Sequence, residues 1–177
     1  MKLETSRLRL RPWALDDLDD YARIFAKAES LAFQLDRGLT RAEAEQYLRF
    51  HIDAWTRHPF GAWAIRPKAT GRPVGWVSLE TTESFPPAPD GVQIGWRLDP
   101  GEWGKGYATE AARAVLAYGF TTLGLPEIYV LFHRDNTPSA RVAAKLGATP
   151  LTTITDEAGA HLREVHVIRR PTAFRSP

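Results

Sequence analysis

No cysteine occurs among the 177 residues, which removes disulfide frameworks, thiolate metal sites and cysteine nucleophiles at once. The five histidines show no ligand spacing of the H-x-x-x-H kind, so no metal is expected either. An excess of one charge is also missing. The 23 basic and 21 acidic side chains leave a net +2, too little to suggest nucleic acid as a direct partner. The first residues are charged and alternating, without the apolar core of a signal peptide, and no run is long enough to cross a bilayer. These absences predict a cytoplasmic protein with no membrane partner. No internal repeat and no linker divides the chain, so one domain over residues 1–170 is expected, followed by a short tail at 171–177. With 44% hydrophobic and 25% charged residues, the composition is that of an ordinary globular chain, long enough to build a real core.

Hydrophobic periodicity supplies a coarse architecture. From Arg7 to Arg11, Leu8 and Leu10 alternate with arginines, as in a half-buried strand. Asp16 to about Leu35 reads as one helix, with Leu18, Tyr21, Ala22 and Phe25 on a common face. Thr40-Arg41-Ala42-Glu43 is a capping box that opens a second helix, whose apolar stripe is Ala44, Tyr47, Leu48 and Trp55. Ala62–Arg66 and Val74–Thr81 form a hairpin around Thr70–Pro73, and Pro86–Gly91 is an irregular surface loop. Val92–Leu98 is the next strand. A central helix runs from about Ala108 to Leu123, ended by Gly124 and Pro126, and Ile128–Phe132 is a further strand. Thr137 is expected to cap a short helix with Pro138 at its first position and Gly147 at its end. Strands at about Pro150–Thr155 and His161–Val167 flank a turn at Asp156–Gly159. The expected fold class is α/β (α+β), with a mixed, mostly antiparallel sheet of about seven strands flanked by about four helices.

The stretch from Trp96 to Ala111 carries the chemistry. A strand runs into a loop with three glycines, Gly101, Gly104 and Gly106, and the loop opens directly onto a helix rich in small residues. Glycines let backbone approach an oxyanion, consecutive N–H groups turn inward, and the helix N-terminus adds roughly half a positive charge. Lys105 lies inside the loop, where it either reaches a phosphate or solvates the turn. Two familiar phosphate loops are excluded. Lys105 is followed by Gly106, where a P-loop needs Ser or Thr, and the third glycine of G-x-G-x-x-G is replaced by Thr109. A different diphosphate cofactor is the better expectation.

Trp103-Gly104-Lys105-Gly106-Tyr107-Ala108-Thr109-Glu110-Ala111 resembles the acetyl-CoA loop of the GNAT superfamily of N-acetyltransferases, most closely the branch of the RimJ and RimL ribosomal-protein enzymes. The opening Glu4–Pro12, the middle Gly71–Gly75 and the later Asn136–Gly147 resemble that branch in the same order, so the likeness covers nearly the whole chain. The resemblance implies a GNAT fold, with acetyl-CoA as cofactor and CoA as product. It implies that the pantetheine arm bonds backbone of Trp96, Arg97 and Leu98. The pyrophosphate would rest on amides of about Gly104 to Thr109, that is Gly104, Lys105, Gly106, Tyr107, Ala108 and Thr109, with Trp103 also counted in the cofactor site. Trp103 stands where broader GNAT patterns carry Gln or Arg, and its simplest role is to hold the loop against the body. Asn136 would bond the pantetheine or nearby backbone, and Ser139 would contact the cofactor near its sulfur. Without the loop, Asn136 to Ser139 would read only as a helix start.

Many relatives carry a tyrosine four residues after the serine, as the acid that protonates the leaving thiolate; here that position is Ala143, which leaves Ser139 as the candidate proton donor. The Glu and aromatic residue usual near that helix end are replaced by Ala144 and Ala148. The base is open among Glu80, Glu164 and His133, each of which also has a plain structural reading. The resemblance implies direct acetyl transfer to a primary amine, a protein N-terminus or a small molecule. The acceptor side is expected near Phe33–His58 and Pro86–Asp90, where Asp36, Glu43 and Glu45 only faintly suggest a polycation. The alternative is a catalytically silent acyl-CoA-binding sensor or scaffold. Homodimerisation is common in such folds, and general apolar surface is its only hint here.

Overall fold

Eight strands and four α-helices make up the residues described by the computed structural model, 1–84, 88–155 and 162–171. They group into two compact units. The first is Met1–Ser78 with Trp96–Ala114, and the second is Leu79–Gly95 with the described residues from Val115 onward. The turn expected at Asp156–Gly159, Pro86 and Pro87 of the expected loop, and the tail from residue 172 lie outside the described residues.

In the first unit, β1 (Leu3–Glu4), β2 (Leu8–Pro12), β3 (Ala62–Pro67) and the start of β4 (Gly75–Thr81) are neighbours in that order, all antiparallel. Leu10 faces Ile65 across one ladder and Ala64 faces Trp76 across the next. Leu8 and Leu10 are buried while Arg9 is exposed, as the alternation requires. Strand β1 is the addition to the expected seven. Its two residues pair with Leu10 and Arg9, and a segment that short has no period to read.

The long helix expected from Asp16 to Leu35 is corrected. A single 3-10 turn at Leu15–Asp17 leads into α1 (Leu18–Phe25), and a second 3-10 turn follows at Ala28–Leu31. The interruption is tertiary. The Phe25 carbonyl accepts from Leu39 N at 2.7 Å, and a Cβ on Gly38 would fall 1.8 Å from the Ala26 carbonyl oxygen. Lys27 is extended there, and its ammonium donates to Asp99 at 2.6 Å. Helix α2 (Arg41–Arg57) starts at the expected box: Glu43 N donates to Thr40 Oγ1 at 3.3 Å and Thr40 N to Glu43 Oε2 at 2.8 Å. Its inner face brings Ala44 and Leu48 onto Trp13, Tyr21 and Phe25. Burying each large member stabilises by about 1.5–3 kcal/mol. His51 joins this face between Tyr21 and Trp76. Burial pushes its pKa down to about 3, so it is a neutral core histidine.

In the second unit the order is β5 (Val92–Leu98), β6 (Glu127–His133), β8 (Leu162–Arg169) and β7 (Thr149–Thr155). Strand β5 is parallel to β6, and the other two ladders are antiparallel, so the sheet is mixed. Val165 and Val167 of β8 pack with Tyr129 and Ile154. Helix α3 (Tyr107–Thr121) begins in the first unit, where Ala111 and Ala112 are buried, and continues into the second, where Val115 is buried. Helix α4 (Thr137–Lys145) follows β6 after a short turn and ends where Leu146 precedes Gly147 at φ 80°.

Candidate active site

The glycine loop belongs to the first unit. Strand β5 ends at Leu98, and the chain turns on Asp99, whose amide donates to the Val74 carbonyl at 2.8 Å. The Asp99 carboxylate is buried and accepts from Lys27 Nζ at 2.6 Å, Gly101 N at 3.0 Å and Arg23 Nη1 at 3.2 Å. Burial alone would raise its pKa. The Lys27 ammonium and the Gly101 amide outweigh that effect and hold the group below the ordinary carboxylate range. Asp99 thus fixes where the loop leaves the sheet. A 3-10 turn at Pro100–Glu102 follows, and Trp103 then donates its indole N–H back to the Leu98 carbonyl at 3.0 Å. Its ring is nevertheless 49% exposed, so Trp103 anchors the loop through one bond more than through burial.

Gly104 and Gly106 have φ of 78° and 80°, the left-handed region where a Cβ is strained. Both are exposed, and a Cβ on Gly104 would meet nothing within 4 Å, so the backbone there borders open space. The Gly106 carbonyl accepts from Glu110 N at 3.1 Å, which makes it the first carbonyl of α3. By helix geometry the amides of Tyr107, Ala108 and Thr109 then lack intrahelical acceptors. A left-handed glycine turn that leads into unbonded helix amides is backbone that can accept an anion. Lys105 does not point freely from the loop: its Nζ donates to Glu102 Oε2 at 2.9 Å, and that carboxylate raises the ammonium's pKa.

Asn136 and Ser139 belong to the second unit. Here the expected cap is corrected by one residue. Asn136, not Thr137, is the N-cap of α4, with its Oδ1 accepting from Ser139 N at 3.1 Å, and Pro138 is the second helical residue. Both Asn and Thr cap well; the turn decides, because Asn136 N is drawn onto the His133 carbonyl at 2.8 Å. The cap brings Asn136 and Ser139 together. Ser139 is half-buried, and its hydroxyl has no hydrogen-bond partner among the described residues. Ala143 is fully buried, so the position of the absent tyrosine is occupied by core packing.

The three base candidates differ. Glu164 accepts from Arg134 Nε at 3.0 Å and Thr153 Oγ1 at 3.2 Å, and the Arg134 guanidinium holds its carboxyl low. His133 Nδ1 accepts the Asp135 amide at 3.2 Å, so that nitrogen is occupied. Glu80 is half-buried near the end of β4, and no hydrogen bond joins it to Ser139 among the described residues. Among those residues no group of three or more His, Cys, Asp or Glu is placed to hold a metal ion, and no helix is long and apolar enough to cross a membrane. Trp96, Arg97 and Leu98 end β5, with the Arg97 guanidinium 5.2 Å from the Trp76 ring.

Sequence reading missed the partners of Glu110. Its carboxylate is gripped by Thr5, Ser6 and Arg7, more than a hundred positions earlier. The only signal was that Glu4–Pro12 resembles the same family as the loop does.

A family model described as acetyltransferase (GNAT) domain matches residues 7–149. The chain is 32% identical over 159 residues to FsC-acetyl coenzyme A-N(2)-transacetylase of Aspergillus fumigatus, covering 85% of this chain and 66% of that protein, just under two thirds of its length. Its fold is similar to that of the acetyltransferase from Agrobacterium tumefaciens C58, with a TM-score of 0.81 at 28% identity over 96% of this chain and 95% of the other. It is also similar to RimL, a ribosomal L7/L12 α-N-protein acetyltransferase in complex with coenzyme A, with a TM-score of 0.79 at 16% identity over 96% and 98%; at that identity the likeness speaks for the fold alone.

Proposed function

Because the chain belongs to the GNAT acetyltransferase family, which uses acetyl-CoA, we propose that it transfers an acetyl group directly from that thioester to a primary amine. The observation that carries the reading is the exposed loop in which two left-handed glycines deliver the chain to the amide-rich start of α3. A pyrophosphate held on residues 103–109 needs that backbone shape and the positive end of a helix dipole. On this reading the backbone N–H and C=O groups of Trp96, Arg97 and Leu98, at the end of β5, take the amides of the pantetheine arm.

When bound, acetyl-CoA supplies the acyl carbon to be transferred and a thiol leaving group. A backbone N–H of β5 polarises the acyl oxygen. Asn136 orders the first turn of α4 and so aims Ser139, whose hydroxyl has no partner among the described residues; it hydrogen-bonds the departing sulfur and passes it a proton that the serine oxygen regains from solvent. The proton released by the attacking amine goes to Glu80, directly or through a water. Glu164 already has its charge stabilised by Arg134, and His133 Nδ1 already accepts the Asp135 amide. Most of the rate enhancement on this reading comes from holding amine and thioester together.

The acceptor class is a protein N-terminal amine or a small-molecule amine, in line with RimJ/RimL-like relatives. The family match crosses both units, which supports reading residues 1–170 as one functional domain. The reading also places the enzyme in the cytoplasm, with homodimerisation to be measured. The buried Ala143 favours a second reading, a silent acyl-CoA sensor. Release of free thiol from acetyl-CoA in the presence of a panel of amines and N-terminal peptides separates the two. Amine-dependent release supports the enzyme, and tight binding without release from any acceptor supports the sensor.

A further inference from the structure

We propose that Arg7 is a positioning residue for the cofactor loop, and that its pairing with Glu110 keeps the start of α3 electropositive toward the acetyl-CoA pyrophosphate; this rests on the reading of the loop given above. Glu110 lies in the first turn of α3, where a bare carboxylate would repel an anion bound at the same helix end. It is not bare. Oε2 accepts from Arg7 Nε at 2.7 Å and lies 2.6 Å from Arg7 Nη2, while Oε1 accepts from Thr5 Oγ1 at 2.5 Å, Arg7 N at 3.0 Å and Ser6 Oγ at 3.2 Å. A forked, charge-assisted pair of this kind is among the stronger hydrogen-bonded arrangements.

The same guanidinium holds the loop itself. Arg7 Nη1 donates to the Lys105 carbonyl at 3.0 Å, its carbon lies 5.0 Å from the Tyr107 ring centroid, and Nη2 is 3.4 Å from the place of a Cβ on Gly106. In a trans peptide the C=O and the following N–H point in opposite directions. With the Lys105 carbonyl turned toward Arg7, the Gly106 N–H is therefore turned away from Arg7. One side chain thus performs two tasks: it orients a cradle amide and it cancels the charge of Glu110. Lysine at this position keeps the charge but loses the fork that makes both contacts.

The test is titration calorimetry with acetyl-CoA, together with steady-state kinetics, on wild type, Arg7→Ala, Arg7→Lys, Glu110→Gln and the double variant Arg7→Ala/Glu110→Gln. Arg7→Ala is expected to weaken acetyl-CoA about tenfold. It should raise the KM for acetyl-CoA more than it lowers kcat, and shift the acceptor KM by less than about twofold. Arg7→Lys should fall between wild type and Arg7→Ala. Adding Glu110→Gln to Arg7→Ala should recover part of the lost affinity. If Arg7→Ala does not fold, Arg7→Lys and Glu110→Gln carry the same comparison. Wild-type affinity in Arg7→Ala, or a loss undiminished by Glu110→Gln, overturns the inference while leaving the cofactor reading intact. Absence of acetyl-CoA binding by wild type overturns both.

Discussion

Glu110 and Ser139 occupy the first turns of two helices given roles at the cofactor, and they are held in opposite ways. Glu110 is tied to Thr5, Ser6 and Arg7, far away in the chain, through charge and five short contacts. Ser139 is tied to the Asn136 side chain, three residues earlier, by a bond from its amide, and its hydroxyl has no hydrogen-bond partner among the described residues. The difference suits the proposed tasks. A cradle for a pyrophosphate must be rigid and must have its own negative charge cancelled, whereas a proton donor needs a hydroxyl that no protein acceptor has claimed.

The comparison breaks most visibly at the loop. Gly106→Val forces a β-branched residue to φ 80°, and should abolish measurable acetyl-CoA binding, a loss of at least about 100-fold. Calorimetry that shows unchanged affinity would remove the loop as the cradle. Next in size, Ser139→Ala should lower kcat about tenfold with little change in acetyl-CoA affinity, less than many general acids because a thiolate leaves readily. An unaltered turnover number would take Ser139 out of the mechanism. Asn136→Ala should cost about 1 kcal/mol of stability through the lost cap, read by urea unfolding, and should lower kcat in step with Ser139→Ala.

The smallest effect sharpens the contrast by pH. Burial alone would raise the Glu110 carboxyl, but the Thr5 hydroxyl and the Arg7 amide and guanidinium outweigh it and lower its pKa from the ordinary 4.5. A carboxyl with a lowered folded pKa stabilises the fold above the unfolded value and loses that contribution as pH falls through the folded one. The α3 start is therefore expected to lose protection from hydrogen exchange as the solution is acidified below about 4.5, and Glu110→Gln to be flatter over that range. The neutral Asn136 cap has no such dependence. Equal acid slopes for wild type and Glu110→Gln would show that the ion pair does not hold the loop.

What could be read from the chain follows the same division. Strand β5 and the capping box at Thr40 and Glu43 are written in neighbouring residues, so alternation and cap spacing reveal them, and the structure has both. The glycine loop is legible for the same reason. The end of α1 is not, because it is decided by Gly38 lying against the Ala26 carbonyl and by Lys27 reaching Asp99. No helical period records such a contact. The partners of Glu110 are hidden likewise, since nothing local links Arg7 to a residue 103 positions away. The cap of α4 lies between these cases. Its existence is legible, but the choice of Asn136 over Thr137 rests on the turn after β6.

The most direct test of the central claim is isothermal titration of the purified protein with acetyl-CoA, with free CoA and NAD as comparators. Tight binding of both CoA species and none of NAD is expected, with the acetyl-CoA signal lost in Gly106→Val. No binding of either CoA species, or equal binding of NAD, would contradict that claim.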